Sequence, residues 1–110
     1  MTMSDTKTAL HPQIQTILDE LGNGTTDLEN RCYNDFVTGN YDSVKTYRLS
    51  DLDNYYFRAL SYLASAVTVS RSANLSNLPT ILSEACEAVA NYQKAQCLKR
   101  LGLRLTTNRL

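Results

Sequence analysis

The sequence predicts an all-α fold: a small helical protein built on a long antiparallel helical hairpin, which a second copy completes as a dimeric four-helix bundle. Three features carry that expectation. Apolar residues recur at steps of three and four in four separate stretches. Glycines, prolines and capping residues punctuate the intervals between them. The last two stretches are the longest and are joined by a short connection, which makes antiparallel packing the default. A chain of 110 residues fits one domain, 1–110, with a core thin enough that pairing would thicken it.

Residues 1–9 are polar and unpatterned and read as a loose tail, as do residues 103–110. A first helix is expected from Pro12, a residue suited to a first turn, to Leu21. Ile14, Ile17, Leu18 and Leu21 share one face of it, and Gly22-Asn23-Gly24 ends it. Thr26-Asp27-Leu28-Glu29 has the form of a capping box, and Leu28, Cys32 and Phe36 follow at four-residue steps, so a second helix should reach Thr38. Residues 41–49 show only partial patterning, at Val44 and Tyr47, and read as a loop.

Ser50 or Asp51 can cap a third helix that continues to about Ser72, with Leu52, Tyr56, Ala59, Leu63 and Ala66 as its apolar stripe. The small residues Ala59, Ala64 and Ala66 let a partner helix approach closely. After a turn at 73–77, Pro79 lies in the first turn of a fourth helix with Leu78, Leu82, Ala85, Val89, Tyr92, Ala95 and Leu98 along one side. Gly102 is its natural stop, and Lys99 and Arg100 suit the negative end of its dipole.

Composition and spacing exclude several chemistries. The three cysteines, Cys32, Cys86 and Cys97, are odd in number and lack C-x-x-C spacing, so neither a disulfide framework nor a metal site is expected. Buried thiols in a reducing, cytoplasmic compartment are the expectation. No signal peptide and no membrane span is read, since the longest nearly apolar stretch, Ala59 to Val69, is interrupted by Ser61, Tyr62, Ser65 and Thr68. His11, the one histidine, has no acidic or thiol neighbour and suits a helix end. With no phosphate-binding glycine loop, G-x-S-x-G or H-E-x-x-H, the chain is expected to be no enzyme, with no catalytic residues, cofactor or small-molecule substrate.

Net charge is zero but uneven. Residues 1–55 carry four basic and nine acidic side chains, and residues 56–110 carry seven basic and two acidic ones. Such halves can attract each other within or between chains, and a basic end can also meet phosphate.

Opposite the apolar stripe of the third helix, Asn54, Arg58, Ser61, Ser65, Thr68 and Ser72 fall on one nearly straight line, at steps of four and three. Five of the six are short and uncharged. A solvated face would carry more lysine and glutamate, so this row fits a surface lying close against something. It is either a polar seam against another helix or a row of hydroxyls and amides across an RNA minor groove. Arg58 and Arg71 could position phosphates there, and Lys94, Lys99, Arg100, Arg104 and Arg109 could extend the footprint or simply complete a helix end and a soluble tail.

Three strings, Ile14-Gln15-Thr16, Asp51-Leu52-Asp53-Asn54 and Thr68-Val69-Ser70-Arg71, occur in an order that resembles the double-stranded-RNA-binding silencing suppressors of insect nodaviruses. The resemblance implies a viral protein, a dimeric four-helix bundle lying along duplex RNA in the host cytoplasm and shielding it from dicing. It also implies that Arg71 contacts the RNA backbone. The chain departs from the family in carrying no lysine between Asn54 and Arg71 and in the long segment from Gly22 to Ser50. Two functions are therefore carried forward. One is sequence-independent binding of double-stranded RNA by a homodimer, through Asn54, Arg58, Ser61, Ser65, Thr68, Arg71, Ser72, Lys94, Lys99 and Arg100. The other is a protein-interaction or assembly module that ignores nucleic acid.

Overall fold

Five helices account for most of the chain: α1 (Pro12–Leu21), α2 (Asp27–Val37), α3 (Tyr41–Ser50), α4 (Tyr55–Ser70) and α5 (Leu78–Arg100). The computed structural model describes residues 10–72 and 75–102, and among these there is no strand. The expected loose tails at 1–9 and 103–110, with Arg104 and Arg109, lie outside the described residues.

α1 starts where Pro12 allows and where the His11 Nδ1 accepts the Gln13 backbone N–H at 3.2 Å, which places the histidine at a helix end. Ile14, Ile17, Leu18 and Leu21 are all buried, as the three-and-four spacing requires. α2 is capped by Thr26, whose hydroxyl accepts the Glu29 N–H at 3.1 Å. The carboxylate of Glu29 reaches back one residue further than a standard capping box, to the Thr25 N–H at 2.9 Å. Leu28, expected on the apolar stripe, is exposed, while Cys32 and Phe36 are fully enclosed.

Residues 41–49 are not a loop but most of α3. The helix buries only Val44, so its pattern is weak, and its order comes from contacts with distant residues. The Tyr41 ring meets Phe36 edge-on at 5.3 Å, the Tyr47 ring lies 5.5 Å from Phe57, and the Tyr47 hydroxyl donates to the Asp35 carboxylate at 3.1 Å. Tertiary packing has overridden weak local propensity.

The third expected helix is correspondingly shorter. Asp51 closes α3, and the cap of α4 is Asn54, whose side-chain oxygen accepts the Phe57 N–H at 2.9 Å. Leu52 lies in the break between the two helices and is exposed. From Tyr56 onward the expected stripe is buried, but so are Phe57, Leu60, Ser61, Ala64 and Val67. α4 is enclosed nearly all round, because it packs most extensively on α5, then on α3, and also touches α1 and α2. The Tyr56 ring near the start of α4 meets the Tyr92 ring late in α5 at 5.1 Å, so the chain reverses direction between them.

α5 runs for 23 residues and ends at Gly102, where φ is +79° and the N–H donates to the Lys99 carbonyl. Its inner side buries Leu78, Leu82, Ala85, Ala88, Val89 and Tyr92. Among the described residues, no helix is long and apolar enough to cross a membrane.

A buried polar node joins the two halves of the fold. The Glu29 carboxylate, 5% exposed, accepts the Tyr92 hydroxyl at 3.1 Å across 63 residues of sequence. The Tyr56 hydroxyl donates to the Gly22 carbonyl at 2.7 Å, tying α4 to the end of α1. Gly24 must be glycine: its φ is +87°, and a Cβ there would lie 2.5 Å from the Glu29 Cβ. Burial pushes the Cys32 thiol up to about 12, helped by the Asp35 and Glu29 carboxylates, and burial likewise raises the Tyr56 and Tyr92 phenols.

These shifts have a sign. Each raised group keeps its proton in the fold after the unfolded chain has lost it, so its contribution is full below its unfolded value and fades as pH rises above that value. The urea midpoint should therefore start to fall at about pH 8.5, where unfolded thiols titrate, steepen at about pH 10 as unfolded phenols titrate, and keep falling toward the raised folded values. Tyr56→Phe should cost about 1 kcal/mol at neutral pH through the missing bond to Gly22, yet shrink the alkaline decline. An alkaline decline as large in the variant as in the parent would contradict the assignment.

Candidate nucleic-acid interface

α4 and α5 position every residue expected to contact RNA, and they treat those residues differently. The row on α4 is not one open surface. Asn54 is half-buried and its side-chain oxygen is committed to the helix cap. Ser61 is buried, with 6% of its surface exposed, and is closed to a ligand in this conformation. Ser65 is half-buried, and Thr68 is exposed with its hydroxyl turned to the Ala64 carbonyl at 3.3 Å. Ser72 is exposed, and its hydroxyl donates to the Val69 carbonyl at 2.9 Å. Short hydroxyls that bond back to their own helix let neighbouring helices come close, which explains why this line carries no long charged side chain apart from Arg58.

Arg58 is bound into the fold. Its Nη2 donates to the Leu52 carbonyl at 2.8 Å, its guanidinium lies 5.2 Å from the centre of the Tyr55 ring, and its Nε is enclosed without a hydrogen-bond partner. The arginine holds the 51–54 break against the first turn of α4. Binding a phosphate would require breaking that link or sharing the same donors.

The remaining cations are exposed. Arg71 caps the end of α4, and Lys94, Lys99 and Arg100 stand on the second half of α5. α5 is about 34 Å long at 1.5 Å per residue, and Arg71 precedes its start, so Arg71 and the Lys99–Arg100 pair lie toward opposite ends of that helix. Arg71 also edges a cleft of about 440 Å³ whose walls include Tyr33, Tyr41, Leu18 and Phe36.

Two features are not legible locally. The capping box points to Glu29 as a surface carboxylate, but its burial depends on Tyr92, far along the chain. Arg48 on α3 lies 4.9 Å over the Tyr62 ring, a contact that only the folding of residues 41–50 as a helix creates. Among the described residues no three histidine, cysteine, aspartate or glutamate side chains come together as a metal site.

The cations thus separate into a structural arginine and exposed ones. Arg58→Ala should lower stability by about 1 kcal/mol, because the Leu52 carbonyl loses its partner and the Tyr55 ring its cover. Arg71→Ala and Lys99→Ala should each stay within about 0.5 kcal/mol. Urea denaturation of the three variants checks the ranking, and equal losses in all three would refute it. Compared with models of known protein families, with curated proteins and with solved structures, the chain finds no match, so the reading of this surface rests on its own residues.

Proposed function

We propose that the protein acts by binding and not by catalysis, and that it binds double-stranded RNA without regard to sequence, as a homodimer of helical hairpins. The observation that carries the reading is the placement of Arg71, Lys94, Lys99 and Arg100, exposed and in no ion pair among the described residues, toward the two ends of the α4–α5 hairpin. A small anion could engage one end only. A rod-like polyanion lying along the hairpin could meet both.

Four such cations give a modest electrostatic gain, and pairing two chains into a dimeric bundle of four long helices would double the contribution of those it leaves exposed. The order of the three strings shared with nodaviral suppressors supports the same partner. It suggests the consequence as well: duplex RNA in the host cytoplasm, once covered, is withheld from dicing. The footing moves from the polar row on α4 toward the exposed cations, with Thr68 and Ser72 the row members that remain at the surface.

A second reading, an assembly module that ignores nucleic acid, is favoured by an apolar groove of about 530 Å³ between α1 and α5. Ile17, Leu78, Pro79 and Leu82 line it. A gel shift with an RNA duplex of about 25 base pairs at two salt concentrations decides between the two. The RNA reading expects binding that is indifferent to sequence and weakens steeply with salt. Arg71→Ala should weaken binding to every duplex alike and reduce the salt slope by about 1 for each phosphate left without its arginine. Absence of a shift at micromolar protein in low salt would leave the assembly reading in its place.

A further inference from the structure

α5 has an exposed face along its border with α1, where Ser83 and Cys86 line the same groove as Ile17. Ser83, Cys86, Ala90, Gln93 and Cys97 are all exposed and follow one another at steps of three, four, three and four. That spacing is the seam of a two-helix coiled coil, and four of its five side chains are small enough for the axes to approach to about 8 Å. The fifth, Gln93, turns its amide aside to the Glu20 carbonyl at 3.2 Å, at the edge of the face. Cys86 and Cys97 are eleven residues apart, within about 20° of three full turns, so both lie on the seam. Glu87 and Lys94 flank it on one side, seven residues apart, exposed and in no ion pair among the described residues.

We propose that this face pairs antiparallel with the same face of a second copy, in the register that sets Cys86 opposite Cys97 of that copy. The inference rests on the homodimer proposed above and names the surface that forms it. Two features agree on the register. Cys86 meets Cys97, and the small Ala90 and Ser83 leave room for Gln93 and Arg100 of the second copy. Glu87 comes within two residues of Lys94 of the second copy, on the same side of the seam, and the symmetry repeats the pair. A parallel pairing in register would instead place Glu87 and Lys94 of the two copies on opposite sides of the seam, where they form no charge pair. The charges select the antiparallel arrangement.

Cross-linking of the full chain tests the register. Diamide, which accepts the two protons and two electrons released by each thiol pair, should convert the protein to a covalent dimer. Non-reducing peptide mapping should show only the bridge from Cys86 to Cys97 of the other copy. Cys86→Ser and Cys97→Ser should each abolish both symmetric bridges, because each bridge needs one cysteine of each kind. In sedimentation equilibrium without oxidant the chain should run at twice its 12.3 kDa. Glu87→Lys should weaken the dimer about tenfold, and adding Lys94→Glu should restore it, with helical circular dichroism unchanged in both. A dimer that yields no Cys86–Cys97 bridge, or yields bridges between like cysteines, overturns this seam and leaves the homodimer standing. A monomer at about 100 µM, far above a micromolar dissociation constant, overturns both.

Discussion

Enclosure of α4 is the constraint on which the rest of the fold depends. A helix with buried residues on nearly every side cannot find that burial in one partner, so the chain must bring several helices to it. α5 covers it most, α3 next, and α1 and α2 close the remainder. Its composition follows from that position. Ala59, Ala64 and Ala66 are each fully buried and small, which lets neighbouring axes approach, while Tyr56, Leu60 and Leu63 fill the wider gaps between them. Its hydroxyls are tolerated because Thr68 and Ser70 return their hydrogen bonds to carbonyls of the same helix.

That constraint also explains what can be read from the sequence. α1, α2 and α5 carry an apolar stripe with stop or cap signals beside it, and their spans follow from spacing alone. α3 escapes because a helix that buries one residue has little periodicity, and because Gly39-Asn40 reads as a terminus on either side. The start of α4 is displaced because Ser50, Asp51 and Asn54 are all competent caps, and only the packing of Tyr56 and Phe57 decides which of them acts. The row from Asn54 to Ser72 is visible as a line but not as an inside or an outside. Short polar residues suit both a close helix contact and a nucleic-acid groove, and sequence spacing does not distinguish the two. The exposed cations of α5, in contrast, are legible because lysine and arginine seldom face a core unpaired.

The polar node around Glu29 shows a different limit. A carboxylate with 5% exposure is costly unless its oxygens find donors, and here Thr25 and Tyr92 supply them. The donors come from the turn before α2 and from the second half of α5, so the node forms only when α5 has packed on the N-terminal helices. It thereby couples the cap of a short helix to the long-range packing of the domain. Removing one partner would strand the others in a low-dielectric site, which makes the node a point of specificity more than a source of net stability.

With α4 enclosed, α5 is the long helix left with an open side, and the two roles proposed for the protein must share it. They need not compete. Lys94 flanks the seam and would be drawn to Glu87 of a second copy, which removes it from any phosphate footprint. Lys99 lies two residues beyond Cys97 and so about 200° around the helix from it, on the side away from the seam. Arg71 belongs to the end of α4 and takes no part in the pairing. A dimer formed through α5 would therefore leave Lys99 and Arg71 of both copies open to a duplex. The uneven charge of the sequence then has a structural sense: Lys94 and Arg100 face the second copy, and Lys99 and Arg71 remain for the ligand.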